Sequence, residues 1–289
     1  MAPLDGLVLV GHGSRSSRSG DEMATLAGHV TAALPEVAVD VGFLEMTEPP
    51  AGAVIERLAE RGCKAVTVLP LVLLGAGHAK SDVPALVLEA RTRHPELDVR
   101  LGSPLGVTRL PVQLLGEAVL EAGGASLPLL VVARGTSDPD ANGDAFKAAR
   151  LIGEWTGAPF VHVGFSGVTS PSVLEAAAVF ASLGHDRVAV AWWYLCHGRL
   201  IERGRDELAG WAAGAGVDLV DAGYLGPDPR LVPLVVERFY EAAAGRARVN
   251  CDVCAYRAPW PGREERVGQP AGVGHSHLAV EHRHADHHA

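Results

Sequence analysis

Residues 43–50, FLEMTEPP, and residues 165–172, FSGVTSPS, match each other, and the architecture follows from this match. Both place Phe, Thr and Pro at the same relative positions, and each matched pair is 122 residues apart. The same offset brings residues 8–13, VLVGHG, onto residues 130–135, LVVARG. Val66 and Val68 likewise fall on Val188 and Val190. A self-similarity over so much of the chain indicates two tandem copies of one structural unit.

Each copy alternates short β-branched runs with longer amphipathic stretches, a pattern typical of βα units around a buried parallel sheet. The predicted strands lie at residues 7–11, 37–45, 65–73, 98–102, 127–133, 160–165, 187–195 and 217–222. Predicted helices include residues 21–34, 51–61 and 171–183. We therefore expect an α/β protein with doubly wound domains at residues 1–123 and 124–245, followed by an irregular tail at 246–289.

The composition disfavours several classes of protein. The formal net charge is −9 and Lys and Arg form no run, which argues against a nucleic-acid-binding protein. The chain has no stretch of about 18 uncharged apolar residues, and its start, MAPLDG, lacks the basic residues of a signal peptide. Its four cysteines are too few for a secreted disulfide framework of this length. We expect a cytoplasmic protein that binds neither nucleic acid nor membrane.

Three loops of the first copy carry residues that suit a metal ion. The first predicted strand ends in Gly11-His12-Gly13, the second ends near Glu45, and the third leads into a glycine-rich loop that carries His78. Ligands of open parallel sheets bind where the strands end, so these side chains should meet at one edge. Neutral imidazole both ligates metals and accepts protons near neutral pH. The set predicts a divalent-metal site.

Each residue of this set also has an ordinary structural interpretation, since Glu45 could cap a helix and each histidine could make a local hydrogen bond. The second copy is an internal control, because it has Arg134 in place of His12, Gly167 in place of Glu45, and Arg199 near the counterpart of the second histidine. Arginine neither ligates a metal nor accepts a proton near neutrality. The chemistry is therefore predicted for the first copy, while the two arginines fit either carboxylate binding or ion pairs.

The segments GHGSR, FLEMTEP and LPLVLLGAGHAKSDVP of the first copy resemble the class II sirohydrochlorin chelatases. In the second copy, ARGTSDPDANGD, VTSPS and LCHGRLIER resemble the second half of the long, two-domain members of that family. The resemblance implies tandem chelatase-like, flavodoxin-like domains. It also implies a lyase that inserts cobalt or iron into sirohydrochlorin, a tetrapyrrole, in cobalamin or siroheme biosynthesis.

The resemblance further assigns roles to individual residues. His12 and His78 would bind the metal and accept protons, and Glu45 matches the acidic position that assists them. His197 departs from the family pattern, which leaves open an extra ligand from the second copy beside a core or loop histidine. The implied substrate carries carboxylate arms, and the candidates for binding these arms are Ser14, Arg15, Lys80, Arg134 and Arg199.

The tail contains a Cys251-x-x-Cys254 pair. Two thiolates do not complete a tetrahedral site, so a second chain could contribute, Cys63 and Cys196 could contribute, or the pair could be a redox dithiol. The family resemblance implies an iron–sulfur cluster here. A cluster shared by two chains would make the protein a homodimer.

The last fifteen residues are rich in histidine, which fits either auxiliary capture of divalent metal or a solvated tail. The histidines concerned are His275, His277, His282, His284, His287 and His288. A cobalt- or nickel-binding storage or delivery protein is therefore the second functional hypothesis. A nucleotide-binding enzyme ranks lower, because neither G-x-G-x-x-G nor a P-loop lysine motif follows a predicted strand.

Overall fold

The computed structural model describes residues 5–14 and 16–248 and contains two four-stranded sheets. The strands are β1 (Asp5–Gly11), β2 (Val37–Phe43), β3 (Ala65–Pro70), β4 (Asp98–Leu101), β5 (Leu129–Ala133), β6 (Val161–Phe165), β7 (Arg187–Trp192) and β8 (Asp218–Tyr224). The helices are α1 (Ser17–Ala33), α2 (Ala51–Glu60), α3 (Val83–Arg93), α4 (Arg109–Glu121), α5 (Pro139–Thr156), α6 (Val173–Ser182), α7 (Arg199–Ala215) and α8 (Val232–Ala243). A π-helical turn, His78–Asp82, precedes α3, and a 3-10 turn, Pro229–Leu231, precedes α8.

Both sheets have the same parallel topology. Their strand orders are β2-β1-β3-β4 and β6-β5-β7-β8, and every pair of neighbouring strands is parallel. The predicted fold class is thereby confirmed. The third strand ends earlier than predicted, at Pro70. The Leu71 N–H still donates to the Val10 carbonyl, but residues 72–74 leave the sheet and line a cleft instead.

The two quoted segments adopt the same local structure. The Phe43 N–H donates to the Pro49 carbonyl at 3.0 Å, and the Phe165 N–H donates to the Pro171 carbonyl at 2.9 Å. In each copy this hydrogen bond turns the chain from the end of a strand directly into the following helix. The repeat in the sequence is therefore a repeat in structure.

The central strand of each sheet is buried on both faces. Leu7 and Leu9 of β1 pack into one hydrophobic core, and Val8 and Val10 pack into another on the opposite face. Side chains alternate between the faces of a strand, so an unbroken apolar run is the pattern expected of a strand covered on both sides. The core that contains Leu7 and Leu9 also contains residues of β5, so the two halves share it.

The last helix of each copy packs on the other copy's sheet. Helix α4 contacts β7 and β8 of the second sheet, whereas α8 contacts β3 and β4 of the first. Each sheet is therefore covered by a helix from the other side of the boundary that the sequence predicts after residue 123. Within the described ranges, the helices all fall short of the length and apolarity needed to cross a membrane.

Candidate metal site in the cleft between the sheets

The three predicted ligands follow neighbouring strands. His12 comes directly after β1, Glu45 lies two residues beyond β2, and His78 opens the π-helical turn after β3. Because β2, β1 and β3 are adjacent and parallel, their carboxyl ends lie at one edge of the sheet. The fold thus brings residues that are up to 66 positions apart in the chain into one site.

These three side chains are close enough to share one ion. His12 Nε2 lies 3.0 Å from Glu45 Oε1, and the His12 and His78 ring centroids are 4.3 Å apart. One ligand atom from each residue lies within 4.8 Å of the others, and all three residues are half-buried. Metal–ligand bonds of about 2.0–2.2 Å place neighbouring ligand atoms roughly 3.3–3.6 Å apart in a tetrahedral site. A small contraction would therefore suffice to coordinate a divalent ion.

The loops that carry His12 and Glu45 are fixed against each other by their backbones. The Glu45 N–H donates to the His12 carbonyl at 3.1 Å, and the Thr47 hydroxyl both accepts from the Ser14 N–H and donates to its carbonyl. Gly13 has a φ of 98°, and a Cβ there would lie 1.7 Å from the Glu45 carbonyl oxygen. Only glycine allows this approach, which sets the distance between the imidazole and the carboxylate.

Asp82 is a functional candidate that the sequence analysis missed. Its Oδ2 lies 2.6 Å from His78 Nδ1, and its side chain is only 3% exposed. A carboxylate on one ring nitrogen fixes the ring and leaves the other nitrogen for a metal. The i,i+4 spacing of His78 and Asp82 within one helical turn is the signal that could have revealed it.

Replacing Asp82 by alanine should weaken cobalt(II) binding by roughly 10- to 100-fold, the usual cost of losing the carboxylate behind a ligating histidine. Titration of the protein with cobalt(II), followed by its visible absorption, measures this effect. Asp206→Ala, on the exposed side of α7, is the control and should leave the affinity unchanged. Equal affinities for the Asp82 variant and wild type would show that the carboxylate does not position His78.

The site opens into a cleft of about 730 Å³ whose lining comes from both copies. The first copy supplies His12, His78 and residues 71–74. The second copy contributes Arg134, Ser166, Trp193, Tyr194, Leu195, Leu200 and Arg203. Apolar walls with a few polar groups are typical of a site for an organic ligand, and the volume lies within the usual range for such sites.

The predicted substrate-binding residues differ in whether they line the cleft. Arg134 lines the cleft, whereas Arg199, the exposed first residue of α7, and Ser14 are not part of its lining. Arg203, one helical turn beyond Arg199, does line it and was missed. Arg15 lies outside the described residues. The i,i+4 relation of Arg199 and Arg203 on α7 is the signal that could have drawn attention to the second arginine.

Lys80 has another role than the predicted one. Its ammonium group is fully buried and lies 2.6 Å from Asp138 Oδ2 and 2.7 Å from Asp140 Oδ2. Both carboxylates belong to the start of the second copy's α5. The lysine therefore forms an ion pair between the two copies and does not reach a ligand in the cleft, which corrects the expectation from sequence.

His197 and Cys196 lie away from the cleft lining. The His197 N–H donates to Glu22 Oε2 at 2.7 Å, and the Tyr224 hydroxyl donates to Glu22 Oε1 at 2.6 Å. His197 is thus part of a contact between copies and, within the described chain, does not join the His12, Glu45 and His78 set. Burial raises the pKa of the Cys196 thiol to about 12, with a further contribution from the nearby Glu22 carboxylate.

The remaining candidates are the cysteines considered for a cluster and the histidines considered for metal capture. Cys63 is buried in the core that contains Val8 and Val10, together with Leu58 and Val66. Cys251 and Cys254 lie outside the described residues, as do His275, His277, His282, His284, His287 and His288. The cluster and the metal-capture hypotheses for the tail therefore stay predictions.

Comparison with known proteins agrees with the two-copy architecture. The CbiX family model matches residues 6–122 and again residues 128–242. A sirohydrochlorin cobaltochelatase of Priestia megaterium is 32% identical over 259 residues, which is 87% of this chain and 84% of the relative. A sirohydrochlorin ferrochelatase of the same organism is 28% identical over 226 residues, covering 77% and 85%.

A solved structure, described as SirB from Bacillus subtilis with Fe3+, has the same overall arrangement. It is 25% identical to this chain and has a TM-score of 0.74. The match covers 86% of this chain and 100% of the SirB chain. The match of the family model to both copies, the curated relatives and the shared fold lead to one conclusion. The chain belongs to the CbiX family, in its long form with two copies of the chelatase unit.

Proposed function

We propose that this protein is a metallochelatase that inserts a divalent metal, cobalt(II) in preference to iron(II), into sirohydrochlorin. The observation that carries the proposal is the set of His12, Glu45 and His78, whose potential ligand atoms lie within 4.8 Å of one another. The two histidines of this set also line the cleft. Support comes from relatives that are named sirohydrochlorin cobaltochelatase and ferrochelatase. The cobalt preference rests on the histidine-rich tail and the two-copy form.

The proposed reaction exchanges one divalent ion for two pyrrole protons. His12 and His78 hold the ion through borderline nitrogen ligands, which bind cobalt(II) or iron(II) and still release it to four ring nitrogens. Once the metal leaves, the same imidazoles accept the ring protons. Glu45, 3.0 Å from His12 Nε2, either ligates the ion directly or passes the proton onward.

The cleft suits a flat ring with polar edges. Leu71, Leu73, Trp193 and Leu195 give apolar surface for the macrocycle. The ring's acidic arms need hydrogen-bond donors, and these would come from the second copy's side of the cleft. The bound ring would exclude water from the site. The metal would then contact only the imidazoles and the ring nitrogens.

Anaerobic mixing of the protein with cobalt(II) and sirohydrochlorin, followed by the absorption change of the tetrapyrrole, tests this function. Truncation before His275 should leave kcat at saturating metal unchanged, because the proposed ligands lie outside the tail. Wild-type protein that fails with cobalt(II) and iron(II), while its metal binding disappears with the tail, would instead indicate a storage or delivery protein.

Three further properties are proposed, and the first of them depends on tail residues outside the described ranges. We propose that Cys251 and Cys254 hold an iron–sulfur cluster, that two chains share it as a homodimer, and that the protein works in the cytoplasm. Anaerobically purified wild type should then be coloured and dimeric, and Cys251→Ser/Cys254→Ser should lose both the colour and the labile iron. Colourless anaerobic wild type would contradict the cluster.

A further inference from the structure

Two arginines lie on the second copy's side of the cleft. Arg134 follows β5 and stands at the repeat position of His12, and Arg203 lies on α7 at the repeat position of Ser81. Both line the cleft that contains His12 and His78. The first copy thus presents two imidazoles to the cleft, and the second presents two guanidinium groups.

Arg203 is held by a chain of hydrogen bonds. Its Nη2 donates to the Ser166 carbonyl at 2.5 Å, and the Ser166 hydroxyl is hydrogen-bonded to the Tyr194 hydroxyl. Ser166 and Tyr194 are themselves part of the cleft lining. A guanidinium fixed at one nitrogen has further N–H groups available for a ligand.

The surroundings leave this side of the cleft positively charged. Burial raises the pKa of Tyr194 to about 12, although its Ser166 hydrogen bond and the two arginines act in the opposite direction, so its hydroxyl stays neutral. Among the described residues that line the cleft, Asp82 is the carboxylate, and it is engaged by His78. Oε1 of the exposed Glu207 lies 3.5 Å from Arg203 Nε. Exposed ion pairs are weak, so a ligand carboxylate can replace this contact.

We propose that Arg203, with Arg134 and the Tyr194 hydroxyl, binds carboxylate arms of the tetrapyrrole and so orients the ring toward His12 and His78. This inference rests on the proposed function and deepens it, because it names the groups that select a carboxylated ring. Forked donation from a planar guanidinium gives this contact both charge and direction. Arg203 is a binding residue, and its loss should act on substrate affinity more than on turnover.

Titration of the full-length protein with metal-free sirohydrochlorin, followed by the tetrapyrrole's fluorescence, measures this contact. Arg203→Met should raise Kd and KM for sirohydrochlorin by roughly 10- to 100-fold. Its kcat at saturating tetrapyrrole and its affinity for cobalt(II) should stay close to wild type. Arg203→Lys should be intermediate in Kd, because lysine restores the charge without the fork. Arg203→Met removes the charge and should show a weaker dependence of Kd on salt, whereas Arg203→Lys should keep the wild-type dependence.

Arg150→Met is the matched control, since Arg150 lies on α5 with 77% of its side chain exposed and outside the cleft lining. Equal Kd values for the Arg203 and Arg150 variants would overturn the proposal, as would a fall in kcat with KM unchanged. If Arg203→Met does not fold, Arg203→Lys and Arg134→Met carry the same test. Wild type that neither binds nor metallates sirohydrochlorin would instead overturn the proposed function, and this inference with it.

Discussion

His78→Ala should lower the rate of cobalt insertion into sirohydrochlorin by at least about 10²-fold, the range found when a residue that transfers protons is removed. His12→Ala should have an effect of the same order. Each variant loses one of three proposed ligand atoms that lie within 4.8 Å of one another, together with one proposed proton acceptor. Stopped-flow absorbance under anaerobic conditions, with saturating tetrapyrrole and cobalt(II), measures the rate.

The control for the histidine variants is His29→Ala, which removes an exposed imidazole from α1. It should leave insertion and cobalt(II) binding unchanged. If His12→Ala and His78→Ala retain wild-type rates, the strand-end set is not the reaction site. Loss of rate with unchanged cobalt(II) affinity would assign the histidines to proton transfer alone.

Lys80→Met should lower the free energy of unfolding by about 3–5 kcal/mol, the usual cost of removing one partner from a buried ion pair. Lys80 and Asp138 have fully buried side chains, so the substitution leaves a carboxylate in the interior without its cation. Asp140, with 39% of its side chain exposed, can be solvated instead. Chemical denaturation followed by circular dichroism gives the difference.

Lys147→Met is the matched control, because Lys147 pairs with Asp144 through a side chain that is 57% exposed. Surface pairs contribute about 0–1 kcal/mol, so this change should be small. Lys80→Met combined with Asp138→Asn should recover part of the lost stability, since asparagine removes the buried charge and can still accept from the Asp140 N–H at the start of α5. A single Lys80 variant as stable as wild type would contradict a stabilising ion pair between the copies.

The strands could be predicted, and their end residues proposed as metal ligands, because both signals are local. Leu7 to Val10 form an apolar run that is typical of a strand covered on both faces, and β1 is such a strand. His12 and His78 follow strands of one parallel sheet, and topology alone brings such strand ends together. The exact ends of β2 and β3 were less predictable, because residues beyond Pro70 stay apolar while lining the cleft.

The partners of charged side chains could not be predicted in the same way. Lys80 follows a glycine-rich loop, where a cation ordinarily faces solvent or ligand, yet its partners lie 58 and 60 residues further along the chain. The same holds for Arg203, which shares a helical face with other charged residues. Its place in the cleft depends on how α7 packs against the second sheet.

Periodicity and strand-end residues are properties of short segments. They were therefore enough to indicate the two copies, their parallel sheets and the first copy as the one with the proposed metal ligands. The folded chain was needed to show that α4 and α8 exchange sheets, that Lys80 joins the copies, and that Arg134 and Arg203 share a cleft with His12 and His78. An amphipathic helix encodes one apolar face but not the sheet that covers it. That choice depends on contacts between distant segments, and here those contacts build the cleft.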